Sequence, residues 1–423
     1  MNDFLNHFVF ENTLITEDNV LIGVLCVLLG LIFHTSNLKE GFWSKFYKVV
    51  PALLMCYFLP AILNSTNVID GGSSAIPSVV KYYLLPACLV LLTLSIDLKG
   101  IFNLGPKALI MFLSGTFGIV IGGPLAILIV STFAPDWVGG VGPEAVWKGM
   151  ATVAGSWIGG GANMVAMKEV YKASDELFSA MLVVDVIVAN VWMAVLLYIA
   201  ANAKRIDEKN GADTSAIDKL KDKIEKYQLQ SARVASLKDL IIIIAIGIGG
   251  MSLGHLLTRW ILPLVENSEF LVAMNLNSKL LWIILIATSV GIGLSFTKLK
   301  NYEGAGASKV GGVFLYILVA SIGMKMDVFA IFREYQLFII GGIWMSIHVI
   351  VLFIVAKMIK SPMFFLAVGS KANVGGAASA PIVASAFHPS LAPVGVLLAI
   401  LGYALGTYAA ILCATLMKMS API

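Results

Sequence analysis

Lys371 to Ser379 reads KANVGGAAS, and Gly155 to Asn163 reads GSWIGGGAN. Both stretches lie inside long apolar runs, where a lysine and an asparagine make poor packing residues. A lysine at a bilayer centre costs roughly 2.5–3.5 kcal/mol on insertion scales. Lys371 therefore calls for a carboxylate, a substrate anion or a water-filled cavity, unless it snorkels to the interface near Ser361 and Pro362. Asn163 and Asn373 each offer a carbonyl and an amide, suited to a cation or a carboxylate. Ser156, Ser370 and Ser379 add hydroxyls, though a serine in a helix can also bond back to its own backbone. Asp185, in MLVVDVIVANVW, is the one acid well inside an apolar run, and points to proton or Na+ coupling or to a structural pair. Asn190 lies five residues on, roughly 140° round the helix. Thr407 in the last run joins it as a further ion-coupling candidate.

Glycines give these polar residues a setting. Gly160, Gly161, Gly375 and Gly376 permit the backbone angles of a helix break and let backbone approach a ligand closely. Irregular backbone survives in hydrocarbon only where protein or water satisfies it. Half-helix N-termini attract carboxylates, and unwound carbonyls can coordinate Na+. Tight helix packing is the plainer use of small residues. The candidate substrate site is thus Ser156, Gly160, Gly161, Asn163, Ser370, Lys371, Asn373, Gly375, Gly376 and Ser379.

The elements that must position these residues are membrane helices. The 423 residues are 59% hydrophobic and 13% charged, with a mean hydropathy of +0.90, whereas soluble domains carry about a quarter charged residues. Runs near the ~20 residues of a spanning helix occur at roughly 20–36, 45–64, 78–96, 106–132 and 178–201, and again at 237–258, 278–296, 309–326, 337–358 and 391–417. Segments 149–167 and 362–387, rich in Gly and Ala, read as broken or re-entrant. The acidic N-terminus lacks the basic start of a signal peptide, so the first span is expected to remain in the mature protein. With ten crossings, the excess of Lys and Arg places loops such as 34–48 and the linker 203–236 in the cytoplasm and both termini outside. Within the linker, Ile217, Leu220, Ile224 and Tyr227 follow the spacing of an amphipathic helix.

Two internal matches suggest a duplication. DLKGIF (Asp97 to Phe102) resembles DVFAIF (Asp327 to Phe332) at an offset of 230, and Gly160-Gly161-Ala162 matches Gly375-Gly376-Ala377 at an offset of 215. Each half, 1–202 and 237–423, then holds about five crossings and one interrupted segment, and an odd number of crossings inverts the second half. The expected fold is an all-α polytopic membrane protein of two inverted repeats, an architecture common in secondary transporters. Asp97 and Asp327, at span ends, read as helix caps or solvent-facing residues.

GSWIGGGANMVA and GSKANVGGAASAPIVASA resemble the paired signatures of the YjcL-like bacterial membrane proteins, the family of domain of unknown function 819, over essentially the whole chain. That family is similar to glutamate:sodium symporters and related transporters. The resemblance implies a mobile core built from the interrupted segments, moving as an elevator against a scaffold that often dimerises. It implies no substrate. Trp157 lies in the first signature, which has no lysine in the place of Lys371, so the two half-sites differ chemically.

The expected function is Na+- or H+-coupled symport of a small, anionic metabolite (an amino acid, short peptide or carboxylate) across the bacterial inner membrane, by a homodimer with no resident cofactor and no nucleic-acid partner. The alternatives are a cation/proton antiporter, with Asp185 and Lys371 exchanging charge, and a channel or sensor. No Walker or HExxH motif is present, and His7, His34, His255, His348 and His388 are scattered, so an enzyme is not expected. Cys26, Cys56, Cys88 and Cys413 are widely spaced in apolar runs and read as small hydrophobes rather than metal ligands.

Overall fold

Apolar chain inside a bilayer satisfies its backbone in helices or closed barrels, and the computed structural model is built of helices. It describes residues 10, 13–47, 50, 52–96, 101–102, 104–212, 217, 234–269, 277–325, 335–388 and 391–422. In chain order the helices are α1 Asp18–Ser36, α2 Gly41–Phe46, α3 Ala52–Ser65, α4 Ile76–Leu94, α5 Pro106–Ser131, α6 Val146–Tyr171, α7 Asp175–Ala201 and α8 Ala203–Asn210. They continue with α9 Leu237–Glu266, α10 Lys279–Ser295, α11 Ala307–Gly323, α12 Tyr335–Met358, α13 Met363–Asn373, α14 Gly376–Phe387 and α15 Ala392–Ser420. Asp97, Leu220, Ile224, Tyr227 and the segment from Asp327 to Phe332 lie outside the described residues.

Seven of these helices (α1, α4, α5, α7, α9, α12 and α15) are long and apolar enough to cross a membrane. The expected span 45–64 needs correction, because α2 ends at Phe46 and α3 begins at Ala52, leaving an apolar helix of 14 residues. At 1.5 Å per residue that is ~21 Å, short of a hydrocarbon layer ~30 Å thick. α11, with 17 residues, is the other short apolar helix. α10 turns through 96° into a 3-10 segment, Lys298–Ala305. The short helices abut each other. A Cβ on Gly71, just beyond α3, would lie 1.7 Å from the Met324 carbonyl oxygen, and one on Gly323 would lie 2.3 Å from that of Tyr57.

The two interrupted segments turn back on themselves. In a continuous helix Trp147 and Tyr171 would stand ~36 Å apart, yet their rings meet at 5.5 Å. The bend is at Gly160, and a Cβ on Gly155 would lie 2.5 Å from the Asn163 carbonyl oxygen. Likewise Phe364, at the start of α13, meets Phe387, at the end of α14, with centroids 5.4 Å apart. Both segments are helical hairpins.

The hairpins open toward opposite ends of α7. Ser174, the N-cap of α7, bonds to Pro143 ahead of the first hairpin, and Lys168 pairs with Asp175. At the far end α8 follows α7, and Asp207 accepts the Met363 N–H at 2.8 Å, capping the second hairpin. Burial raises the pKa of Asp207, and the Met363 N–H opposes that shift.

Packing divides the helices into two groups. α5, α6, α7, α12, α13, α14 and α15 form one around the hairpins, whereas α1, α3, α4, α9, α10 and α11 form the other. Contacts between them run mainly from α4, α10 and α11 to α6 and α15. Within the flanking group α4 packs on α10 as α11 packs on α3, and α9 packs on α10 as α1 packs on α3.

Gly406 of α15 touches the first hairpin so closely that a Cβ there would lie 2.3 Å from the Gly159 Cα. Gly406→Val is therefore expected to lower stability by about 1–3 kcal/mol, the usual cost of overpacking. Gly249→Ala, in α9 with open space around it, is expected to be neutral or to stabilise by up to ~1 kcal/mol. Thermal unfolding of both purified variants tests the pair.

Candidate functional site

Each hairpin tip is a glycine in a backbone conformation that side chains rarely adopt: Gly160 has φ +72° and ψ −176°, Gly375 has φ +123° and Gly376 φ +59°. Gly160 and Gly375 are the two positions matched by the internal offset of 215. One turn of α15 receives both tips. A Cβ on Gly402 would lie 2.8 Å from the Ile158 carbonyl oxygen and 3.5 Å from that of Ala372. Next to it, the Tyr403 ring lies 3.1 Å from a Cβ built on Gly160, and its hydroxyl lies 4.0 Å from one built on Gly376 and accepts from the Ala377 N–H. Gly160 and Gly161 are half-buried and Gly375 is exposed, whereas Gly376 is buried.

Asp185 of α7 is held by the descending arm of the first hairpin: Ser156 Oγ donates to it at 2.7 Å and Trp157 Nε1 at 2.6 Å. Trp157 is fixed in turn by Trp344, ring to ring at 4.8 Å. From the second hairpin Lys371 reaches the same region of α7. Its ammonium donates to the Ala189 carbonyl at 3.0 Å, one turn beyond Asp185, and attracts that carboxylate without direct ion-pair contact. Ser156 and Lys371 are themselves 215 residues apart. Equivalent positions of the two hairpins thus address one carboxylate, and Lys371, 2% exposed, does not snorkel.

The asparagines anchor the hairpins. Asn163 Oδ1 accepts from Thr407 Oγ1 at 2.6 Å while its amide donates to the Gly159 carbonyl. Thr407 continues to Thr288 of α10 at 3.2 Å, a polar link between the helix groups. Asn373 Oδ1 accepts from Thr116 Oγ1 at 2.8 Å, and its amide donates to the carbonyls of Phe112 and Gly369. Both asparagines are fully buried. Ser370 lies behind the tips, where its oxygen accepts from Trp192 Nε1 at 2.8 Å and contacts His348 Nε2 at 2.8 Å. His348 Nδ1 meets the Gly115 carbonyl at 3.0 Å, a set satisfied by the neutral tautomer protonated at Nδ1. Asn190 is half-buried, on a different face of α7 from Asp185, and does not join this network.

Two buried hydroxyls have no hydrogen-bond partner among the described residues, Ser379 Oγ and Tyr57 Oη. Ser379 Oγ and Lys371 Nζ flank Gly375: a Cβ there would lie 2.2 Å from the first and 3.1 Å from the second. Tyr57 of α3 is fully buried against Phe178 and senses the charge of Asp185. An unsatisfied buried hydroxyl costs about 1–3 kcal/mol, so a polar guest beside Asp185 and Lys371 would recover that energy. Among the described residues no group of three or more His, Cys, Asp or Glu could hold a metal ion.

Sequence reasoning left Tyr57, Tyr403, Thr116, Thr288 and His348 out of the site. His348 and Tyr403 lie in the middle of apolar runs, and a buried polar group there demands a partner. That signal was present for His348. Tyrosines are too common in such helices to stand out.

Asp185→Asn and Lys371→Gln are each expected to lower the unfolding midpoint by leaving the other charge without its counter-ion. The double variant should lose less than the two single losses added together, by a coupling of about 0.5–3 kcal/mol. Strict additivity in denaturant or thermal unfolding would mean that the two groups do not interact.

The family described as "Protein of unknown function (DUF819)" matches residues 23–420. "Uncharacterized membrane protein YjcL" of Bacillus subtilis (strain 168) is 24% identical over 415 residues, covering 94% of this chain and 96% of that protein. The match extends over both hairpins and both helix groups, and on that breadth the chain belongs to the DUF819 family of multi-span membrane proteins.

Proposed function

We propose that the protein is a secondary transporter that couples a small anionic metabolite (an amino acid, short peptide or carboxylate) to a gradient of Na+ or H+. The observation that carries this reading is the meeting of two hairpin tips on one turn of α15, beside a buried lysine and a half-buried carboxylate. Helices interrupted in mid-membrane at matching positions of two halves are where transporters place substrate and ions. The hairpins open toward opposite ends of α7, so the tip region can be approached by a different path from each side.

The packing supports inverted repeats over 1–202 and 237–423. Exchanging α1, α3 and α4 for α9, α10 and α11 reproduces the contacts of the flanking group, and α5 pairs with α12 as α4 pairs with α11. The hairpin group serves as the moving body and the flanking group as the scaffold, through which two copies pair. In this reading Lys371 and Ser379 meet the substrate's carboxylate at Gly375. Asp185 carries the coupling proton or holds Na+ with Ser156. The charged linker lies in the cytoplasm of a bacterium, with both termini on the outer side of its inner membrane.

Proteoliposomes with an imposed Na+ or pH gradient test the proposal against a panel of labelled amino acids, dipeptides and dicarboxylates. Saturable uptake of one class is expected, with gradient dependence lost in Asp185→Asn. Lys371→Ala is expected to raise the KM at least ~10-fold, worth about 1.4 kcal/mol. Cation-driven pH change with no organic solute taken up would assign the site to cation/proton antiport, and unitary currents would assign it to a channel.

A further inference from the structure

A second polar site lies away from the hairpin tips, where the first hairpin opens. A half-open cavity of about 380 Å³ lies there between the two ends of α6, the first turns of α4 and the start of α10. The volume falls within the ~300–1,000 Å³ of small-molecule pockets. Four lysines line it: Lys81, Lys148, Lys172 and Lys279. Its acid, Glu169, is already claimed by Lys81 at 2.6 Å and Lys168 at 3.6 Å. Among the described residues Lys148, Lys172 and Lys279 have no carboxylate within ion-pair distance, and Lys172 and Lys418 both repel Lys148.

Placement makes this charge more telling. Lys148 is the third residue of α6 and Lys279 the first of α10. The first turn of a helix carries partial positive charge, so a cation there is opposed and an anion is favoured. Two helix starts and three lysines without a carboxylate partner among the described residues, Lys148 half-buried and Lys172 and Lys279 exposed, converge on one half-open space. Such an arrangement costs stability when empty and recovers it when an anion enters. Trp147 and Tyr171, ring against ring, form one wall.

We propose that this cavity is a binding site for a compact soluble dianion, a dicarboxylate or a phosphate. The anion is held by Lys148 and Lys172 from the hairpin group and by Lys279 from the flanking group, with Lys81 completing the ring. Because those lysines belong to different helix groups, a bound dianion ties the two groups together on the side where the first hairpin opens. The site shares no residue with the hairpin tips, so anion binding here stands whether or not the protein transports.

The test is thermal unfolding of the full chain in detergent at pH 8, titrated with succinate and, separately, with inorganic phosphate, against sodium chloride at matched ionic strength. One of the dianions is expected to raise the midpoint saturably beyond chloride. The variant with Lys148→Gln, Lys172→Gln and Lys279→Gln should be at least as stable as the native chain without anion, because the repulsion is gone, and should need at least ten times more anion for the same shift. A shift lost in Lys371→Gln and kept in the triple variant would place the anion at the tips and overturn the proposal. No shift beyond chloride, an undiminished shift in the triple variant, or a shift given only by cardiolipin in nanodiscs would each overturn the proposal.

Discussion

The structure depends on the absence of side chains along one contact. Gly402 and Gly406 of α15 and Gly159 of the first hairpin bring backbones to distances that no Cβ would permit. There the two interrupted segments share a wall. Backbone at a turn has polar groups to satisfy, and hydrocarbon supplies no partner. The asparagines supply part of what is needed, Asn163 donating to the Gly159 carbonyl and Asn373 to those of Phe112 and Gly369. The tip glycines adopt the positive φ angles, rarely open to side chains, that the turns require.

Much follows from that contact. With the tips fixed on α15, Ser156 and Trp157 are aimed from one hairpin at Asp185, and Lys371 arrives from the other. A lone carboxylate or lone ammonium at this depth would be costly. Between them they share one region of α7, and Ser379 and Tyr57 stand nearby with hydroxyls unspent. The arrangement is firmly built around its charges yet leaves acceptor and donor capacity for a guest.

The extent to which the sequence foretold this varies with the physics of each feature. Span positions were legible because apolar length is nearly all that a bilayer requires, and the interruptions were legible because Gly-Gly beside Lys and Asn makes no sense in lipid. Asp185 and Lys371 stood out as expensive charges. Whether the interrupted segments cross or fold back was not legible, since both alternatives use the same glycines. Trp147 on Tyr171 and Phe364 on Phe387 decide it, and such pairs are invisible before the fold is known. The shortness of α3 was hidden too, because apolar residues run on through its start. Thr407, expected as an ion ligand, is occupied in bonding to Asn163 and Thr288, whereas Asn190 lies apart from the site.

The fold-back of both interrupted segments is the claim on which the site stands, and distances within each segment measure it most directly. Spin labels at Trp147 and Tyr171, and in a second protein at Phe364 and Phe387, report the separation of the two arms by pulsed electron resonance in lipid. The hairpins predict separations close to those of the ring pairs, label tethers included. Separations near ~36 Å and ~34 Å, the lengths of straight helices over the same residues, would contradict the account.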